Sequence, residues 1–238
     1  MARNPRITLP GYAYHVTQRG SNKQPVFRTT SDRHVYLKLM EELIAEAGIR
    51  LLSYCLMTNH VHFVVVPDRG DSLSVWMRRV NGRYAQYFNA KLNRTGHLWQ
   101  ARFYSCILSP RHLSVALRYV EQNPVRAYLV QNPQDYRWSS AKAHLNGKLD
   151  KMLDQQDWQE RGREAGWTEM LSTKPVQPIV HLLKRCTYGG RPFGGAQFIS
   201  QIEAEASHHW ARWPYHQELK DSEVLMSLEG MDADSSAA

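Results

Sequence analysis

The run from Val61 to Pro67, Val-His-Phe-Val-Val-Val-Pro, constrains this chain more than any other stretch. Side chains alternate across a pleated strand, so Val61, Phe63 and Val65 leave by one face and Val64 and Val66 by the other. A strand wet on one side has no need of apolar groups on both, so the run predicts a central strand covered above and below. A second strand-like run, Ile49 to Met57, precedes it with only Thr58-Asn59-His60 between, a spacing short enough for an antiparallel hairpin.

Strand and helix signals alternate around that pair. Tyr12 to Arg19 is rich in aromatic and β-branched residues and ends in the turn-forming Gly20-Ser21-Asn22, which predicts a first strand. Ser31-Asp32 offers a helix N-cap, and Tyr36, Leu39, Met40, Leu43 and Ala47 follow at helical spacing until Gly48. Asp71 to Leu92 reads as a long helix and Arg102 to Leu108 as another strand. After Pro110 a helix runs to about Asn123, where Pro124 makes continuation costly. The order βαββαβα predicts an α+β fold: a ferredoxin-like antiparallel sheet with helices packed on one side. Asn146-Gly147-Lys148 is a plausible boundary, dividing the chain into a domain over 1–147 and a mainly helical C-terminal extension over 148–238 with an acidic tail.

The charge is uneven. The segment Asp221 to Ala238 carries five acids and no Lys or Arg, so the net +8 of the whole chain becomes +13 on the remainder. A body that basic favours a polyanionic partner, because each Lys or Arg meeting a phosphate releases condensed counterions. No apolar run approaches the ~20 residues of a membrane span and the N-terminus lacks a signal-peptide core, so a soluble, cytoplasmic protein with no membrane partner is expected. Cys55, Cys106 and Cys186 are odd in number and far apart, which supports neither a disulfide framework nor a zinc ribbon.

Three features bear on chemistry. His60 and His62 sit two apart at the start of the central strand, so both imidazoles point to one face, ~6.6 Å apart at Cα. Neutral imidazoles so placed can share a divalent ion, or can simply be two structural histidines satisfied by hydrogen bonds. On the helix before Pro124, Leu113, Ala116, Leu117 and Val120 form a stripe for docking on a sheet, and Tyr119 and Asn123 lie one turn apart at its border. A phenol and an amide would thus stand at the rim of the sheet, unless Tyr119 is an ordinary tyrosine at the edge of the core. Finally, Tyr84, Tyr87, Phe88, Arg94, His97, Trp99, Arg102, Phe103 and Tyr104 interleave basic and aromatic groups, which suits single-stranded nucleic acid through base stacking. Phe88 and Phe103 are expected in the core and Trp99 at the surface.

These residues resemble the single-tyrosine HUH transposases, and among them the REP-associated tyrosine transposases. The likeness is carried by Pro10-Gly11-Tyr12 with His15-Val16-Thr17-Gln18-Arg19-Gly20, by Met57-Thr58-Asn59-His60-Val61-His62-Phe63, by Gly96-His97-Leu98-Trp99-Gln100-Ala101-Arg102-Phe103-Tyr104-Ser105, and by Arg118-Tyr119-Val120-Glu121-Gln122-Asn123-Pro124-Val125-Arg126-Ala127. Together these cover roughly the first 140 residues in order.

The resemblance implies a metal-dependent single-stranded DNA endonuclease and strand transferase. His60 and His62 would be metal ligands, Tyr119 the nucleophile that forms a 5′-phosphotyrosine, and Asn123 the third ligand, with Gln122 as its alternative. Related transposases carry Gln four residues after the tyrosine, where this chain has the shorter Asn123. The ion would be Mg2+ or Mn2+, which suit mixed imidazole and oxygen ligation better than structural zinc does. The partner would be hairpin-forming palindromic repeat DNA, bound by a monomer or a homodimer. Arg19, Lys23, Arg83, Arg102 and Arg126 are candidates for phosphate contacts, Trp99 for stacking, and Arg118 for a DNA contact and for favouring the ionised phenol. The alternative is a non-catalytic single-stranded nucleic-acid-binding regulator on the same fold, whose binding would be indifferent to chelators.

Overall fold

A computed structural model describes residues 7–147, 150–160, 166–173 and 176–210; the acidic tail lies outside these. The elements follow as β1 (Tyr14–Arg19), α1 (Thr30–Ala47), β2 (Ile49–Leu56), β3 (His60–Pro67), α2 (Ser72–Lys91), β4 (Tyr104–Ile107), α3 (Leu113–Glu121), α4 (Asn123–Arg126), α5 (Ala141–Asn146), α6 (Gln155–Glu160), α7 (Trp167–Ser172), α8 (Gln177–Gly189) and α9 (Ala196–Ala206). The sheet order is β2-β3-β1-β4 with antiparallel pairing throughout, the ferredoxin-like arrangement that the alternation of strands and helices predicts. β3 is an inner strand, and Val61, Phe63, Val64 and Val65 are wholly buried.

The expected helix layer is α1 and α2 on one face, where the ring of Phe63 meets Trp76 of α2 edge-on at 5.1 Å. The opposite face is covered as well, by α3 against β2 and β3 and by α8 against β1 and β4. That second cover explains why β3 is apolar on both sides of its pleat. Residues beyond Gly147 share one apolar core with those before it: Leu183 of α8 and Trp167 of α7 are buried in the same cluster as Val64 and Leu117.

Local chemistry sets the element ends. α1 starts earlier than Ser31-Asp32 suggests, because Thr29 is the N-cap and Asp32 closes a capping box with it. Gly48 ends the helix at φ 64°, a left-handed conformation that strains any residue with a Cβ. The helix anticipated up to Asn123 stops at Glu121. Pro124 then occupies the first turn of α4, where its missing N–H costs nothing, so the chain turns and continues instead of ending.

Candidate functional site

Register collects the polar residues of two strands on one face. In the β1–β3 pair Arg19 lies opposite His60, Thr17 opposite His62 and His15 opposite Val64. Directly opposed residues point the same way, so these side chains project toward α3 and α8. The docking stripe of α3, Leu113, Ala116, Leu117 and Val120, is buried as its spacing predicts, and Tyr119 is buried beside it. The Tyr119 ring stands 5.4 Å from the His62 ring and 5.4 Å from the His15 ring, edge-on to both, and the His60 and His62 rings are 4.9 Å apart. His60, His62, Tyr119 and Asn123 line one cavity of about 450 Å³, with Arg19, Arg126 and Lys184 among its walls.

Both strand histidines are neutral. Burial, reinforced by the Arg19 and Arg126 charges, pulls His60 down to about 4. His62, fully buried and beside His60 and His15, lies well below the ordinary imidazole value. The protonated nitrogen of His60 follows from its neighbour. Asn59 Nδ2 donates to the Lys23 carbonyl at 3.0 Å, which turns Asn59 Oδ1 toward His60 Nδ1 at 2.6 Å. Nδ1 therefore carries the proton and Nε2 keeps its lone pair.

Burial raises the Tyr119 phenol above its usual pKa, and the Arg126 charge draws it part of the way back. The guanidinium of Arg126 sits over the Tyr119 ring and also donates to Asn123 Oδ1 at 3.0 Å. Asn123 is buried, and its Nδ2 has no partner among the described residues. Two neutral imidazoles with an amide oxygen between cationic walls fit a hard divalent ion that takes its remaining ligands from elsewhere. Among the described residues no group of three or more His, Cys, Asp and Glu is placed to hold a metal ion.

The other candidate residues divide. Gln122, the alternative ligand, turns away: its Nε2 donates to the carbonyls of Leu171 and Thr173 at 2.6 and 2.9 Å. Arg118 is likewise held by Thr173, through Nη2 to its carbonyl and hydroxyl oxygens, so the cation beside the phenol is Arg126 and not Arg118. Arg83 pairs with Glu42 on the α1–α2 surface, the far side of the sheet. Lys23 is exposed in the turn after β1, and Arg102 borders a separate cavity of about 460 Å³ beside β4. Trp99 is not the exposed stacking face expected: it is half-buried against Tyr36 and Tyr84, and its Nε1 donates to the Asn81 carbonyl at 3.0 Å. Phe88 and Phe103 are in the core as anticipated.

His15, Lys184 and Tyr188 were not singled out as site residues by the sequence reading. His15 had a local signal: His15, Thr17 and Arg19 put three polar groups on one face of a strand whose other face carries Tyr14 and Val16. For Lys184 and Tyr188, on a helix far along the chain, no local signal exists.

Residues 8–123 match the family described as "Transposase IS200 like". A solved REP-associated tyrosine transposase bound to a REP hairpin superposes with a TM-score of 0.51 at 16% identity, covering 60% of this chain and 85% of that one. A candidate transposase from Deinococcus radiodurans R1 gives a TM-score of 0.36 at 13% identity, over 51% of this chain and 97% of that one. No curated protein matches the sequence. No helix among the described residues is long and apolar enough to cross a membrane. Over residues 8–123, just under half of its length, the chain is similar to the family of IS200-like transposases.

Proposed function

We propose that this chain is a transposase that cuts and rejoins single-stranded DNA, with Tyr119 as the covalent nucleophile and His60, His62 and Asn123 holding one Mg2+ or Mn2+ ion. The observation that carries the reading is the Tyr119 ring 5.4 Å from His62 in a cavity walled by Arg19, Arg126 and Lys184. A phenol, two neutral imidazoles and three cations together suit a phosphodiester and little else.

In the reaction the Tyr119 oxygen attacks the scissile phosphorus, the bond from phosphorus to the 3′ oxygen breaks, and a 5′-phosphotyrosine and a 3′-hydroxyl result. The proton lost by the phenol balances the one gained by the 3′ oxygen. A bound divalent ion neutralises charge on the phosphoryl oxygens. Arg126 favours the phenolate, while Arg19 and Lys184 hold the backbone phosphates at the cavity wall. The covalent link keeps the phosphodiester energy, so attack by a second 3′-hydroxyl reverses the step and joins strands without a nucleotide cofactor.

The REP hairpin bound by the superposed transposase makes hairpin-forming palindromic repeats the substrate to try first. Nucleophile and histidines come from one chain, so the proposed site needs no second copy. Arg19 and Arg126 are retained as phosphate contacts, with Lys23 and Arg102 further from the cavity. The test is incubation with a hairpin oligonucleotide and Mn2+, followed by mass analysis for a strand linked to Tyr119. Tyr119→Phe should abolish the adduct and leave binding within about twofold, since only one hydroxyl is removed. Adduct formation that survives the substitution, or DNA binding without cleavage and indifferent to chelators, would overturn the reading in favour of a non-catalytic binder.

A further inference from the structure

Helix α8 lies outside residues 8–123, yet through His15 one of its side chains is linked to His62. Thr187 is buried, and its hydroxyl donates to the Leu183 carbonyl one turn back at 2.8 Å. A hydroxyl has one proton, and a carbonyl has none to offer in return. Thr187 Oγ1, 2.7 Å from His15 Nδ1, can therefore meet that nitrogen only as acceptor. Cys106 Sγ, 3.2 Å from the same oxygen, must likewise donate.

The consequence runs inward. His15 is wholly buried, with Thr187 and His62 at its two ring nitrogens and no acid paired with it among the described residues, so the neutral ring is the form that fits. With its proton on Nδ1, its Nε2 is an acceptor. His62 Nδ1 lies 3.0 Å from that Nε2 and is obliged to donate. The two rings are within 7° of parallel with centroids 5.2 Å apart, the edge-to-edge spacing of an in-plane N–H···N bond, which fixes the plane of His62 as well as its proton. His62 Nε2 is left as the atom with a lone pair, matching the tautomer that Asn59 imposes on His60.

We propose that Thr187 and His15 are positioning residues that hold His62 in the tautomer able to ligate a divalent ion through Nε2, so that helix α8 forms part of the metal centre. The inference rests on the metal reading of His60 and His62 given above. Neither residue touches the ion; they act through His62, as hydrogen-bond acceptors behind ligating histidines commonly do, with losses of 10–100-fold in metal affinity when removed.

The experiment measures Mn2+ binding by the full chain without DNA, from the electron paramagnetic resonance of free Mn2+. Thr187→Val keeps the shape and removes the acceptor, and it should weaken Mn2+ binding roughly tenfold or more; Thr187→Ser keeps the hydroxyl and should stay within about twofold. A folded Thr187→Val protein that binds Mn2+ like the unsubstituted chain overturns the proposal. His62→Ala serves as the separate control: unchanged Mn2+ binding there removes the metal reading itself. The nitrogen-15 spectrum of the unsubstituted protein needs no variant to fold, and it should show His62 protonated at Nδ1 and bare at Nε2. The reverse pattern sinks the relay.

Discussion

The guanidinium of Arg126 stands 4.2 Å from the centroid of the Tyr119 ring and is the strongest influence opposing the burial of that phenol. Arg126→Met removes the charge while keeping much of the stem. A rise of one unit in a nucleophile's pKa costs about tenfold in its ionised fraction below that pKa. Cleavage at neutral pH should therefore fall about tenfold or more, and the alkaline rise in rate should extend to higher pH than in the unsubstituted enzyme. Superimposable pH–rate profiles would show that Arg126 does not tune the phenol.

Glu121 is two residues past Tyr119 and is wholly buried, so the helix that carries Tyr119 is fastened by a carboxylate. Its oxygens accept from Ser140 at 2.6 Å, His144 Nδ1 at 2.5 Å, Ser53 at 3.3 Å and Trp167 Nε1 at 3.0 Å. Burial would raise this acid, but His144, Ser140 and Trp167 bring it below the ordinary carboxylate value. Glu121→Ala leaves these donors unpaired in the interior and should cost roughly 3–5 kcal/mol in urea unfolding. A loss below about 1 kcal/mol would mean that the pocket collapses or fills with water.

How much of this was legible depends on how far apart the partners lie in sequence. β3 declared itself because its burial on both faces is written into consecutive residues, and the docking stripe of α3 because helical spacing is a local pattern. His60 and His62 were legible as a pair for the same reason. Tyr119 and Asn123 were joined to that pair only by the family resemblance, and what escaped were other contacts between distant segments: His15 with Thr187, Lys184 in the cavity wall, and the cover of the second sheet face by α8. Trp99 was misjudged because a basic and aromatic stretch reads the same whether its rings stack on bases or on Tyr36 and Tyr84.

Asp32 offers a test against acid. Burial pushes this carboxyl up, but Lys91, the backbone N–H groups of Thr29 and Arg28, and the Tyr87 hydroxyl outweigh it and bring it down to about 2. A depressed folded-state value means stability that is present above the unfolded carboxylate range and lost as pH falls through the folded value. Asp32→Asn should cost roughly 2 kcal/mol near neutral pH, and the gap to the unsubstituted chain should narrow between about pH 5 and pH 2. A gap that stays constant over that range would exclude the charge of Asp32 as its origin.

Tyr128 is 95% exposed and has φ 55°, a left-handed conformation that suits glycine. Its N–H is bonded to the Val125 carbonyl at 3.0 Å, so the turn after α4 holds the strain in place. With almost no buried surface to lose, Tyr128→Gly should stabilise the chain by about 1 kcal/mol, seen as a higher melting temperature. Destabilisation would mean that the ring makes a contact outside the described residues.

Among the described residues the proposed metal site carries no carboxylate, and Arg19, Arg126 and Lys184 stand around it. A divalent cation entering the free protein meets two neutral imidazoles, one amide oxygen and three like charges, so its binding should be weak. A DNA phosphate supplies the missing negative charge and relieves the cations at the same time. Metal and DNA should therefore bind cooperatively, and linkage makes the effect reciprocal. In titrations with Tyr119→Phe, which cannot cut, a hairpin oligonucleotide should tighten Mn2+ roughly tenfold, and Mn2+ should tighten the oligonucleotide by the same factor. Equal Mn2+ affinity with and without DNA would place the ion away from the phosphate, and the cavity would then have to be read as a DNA-binding groove alone.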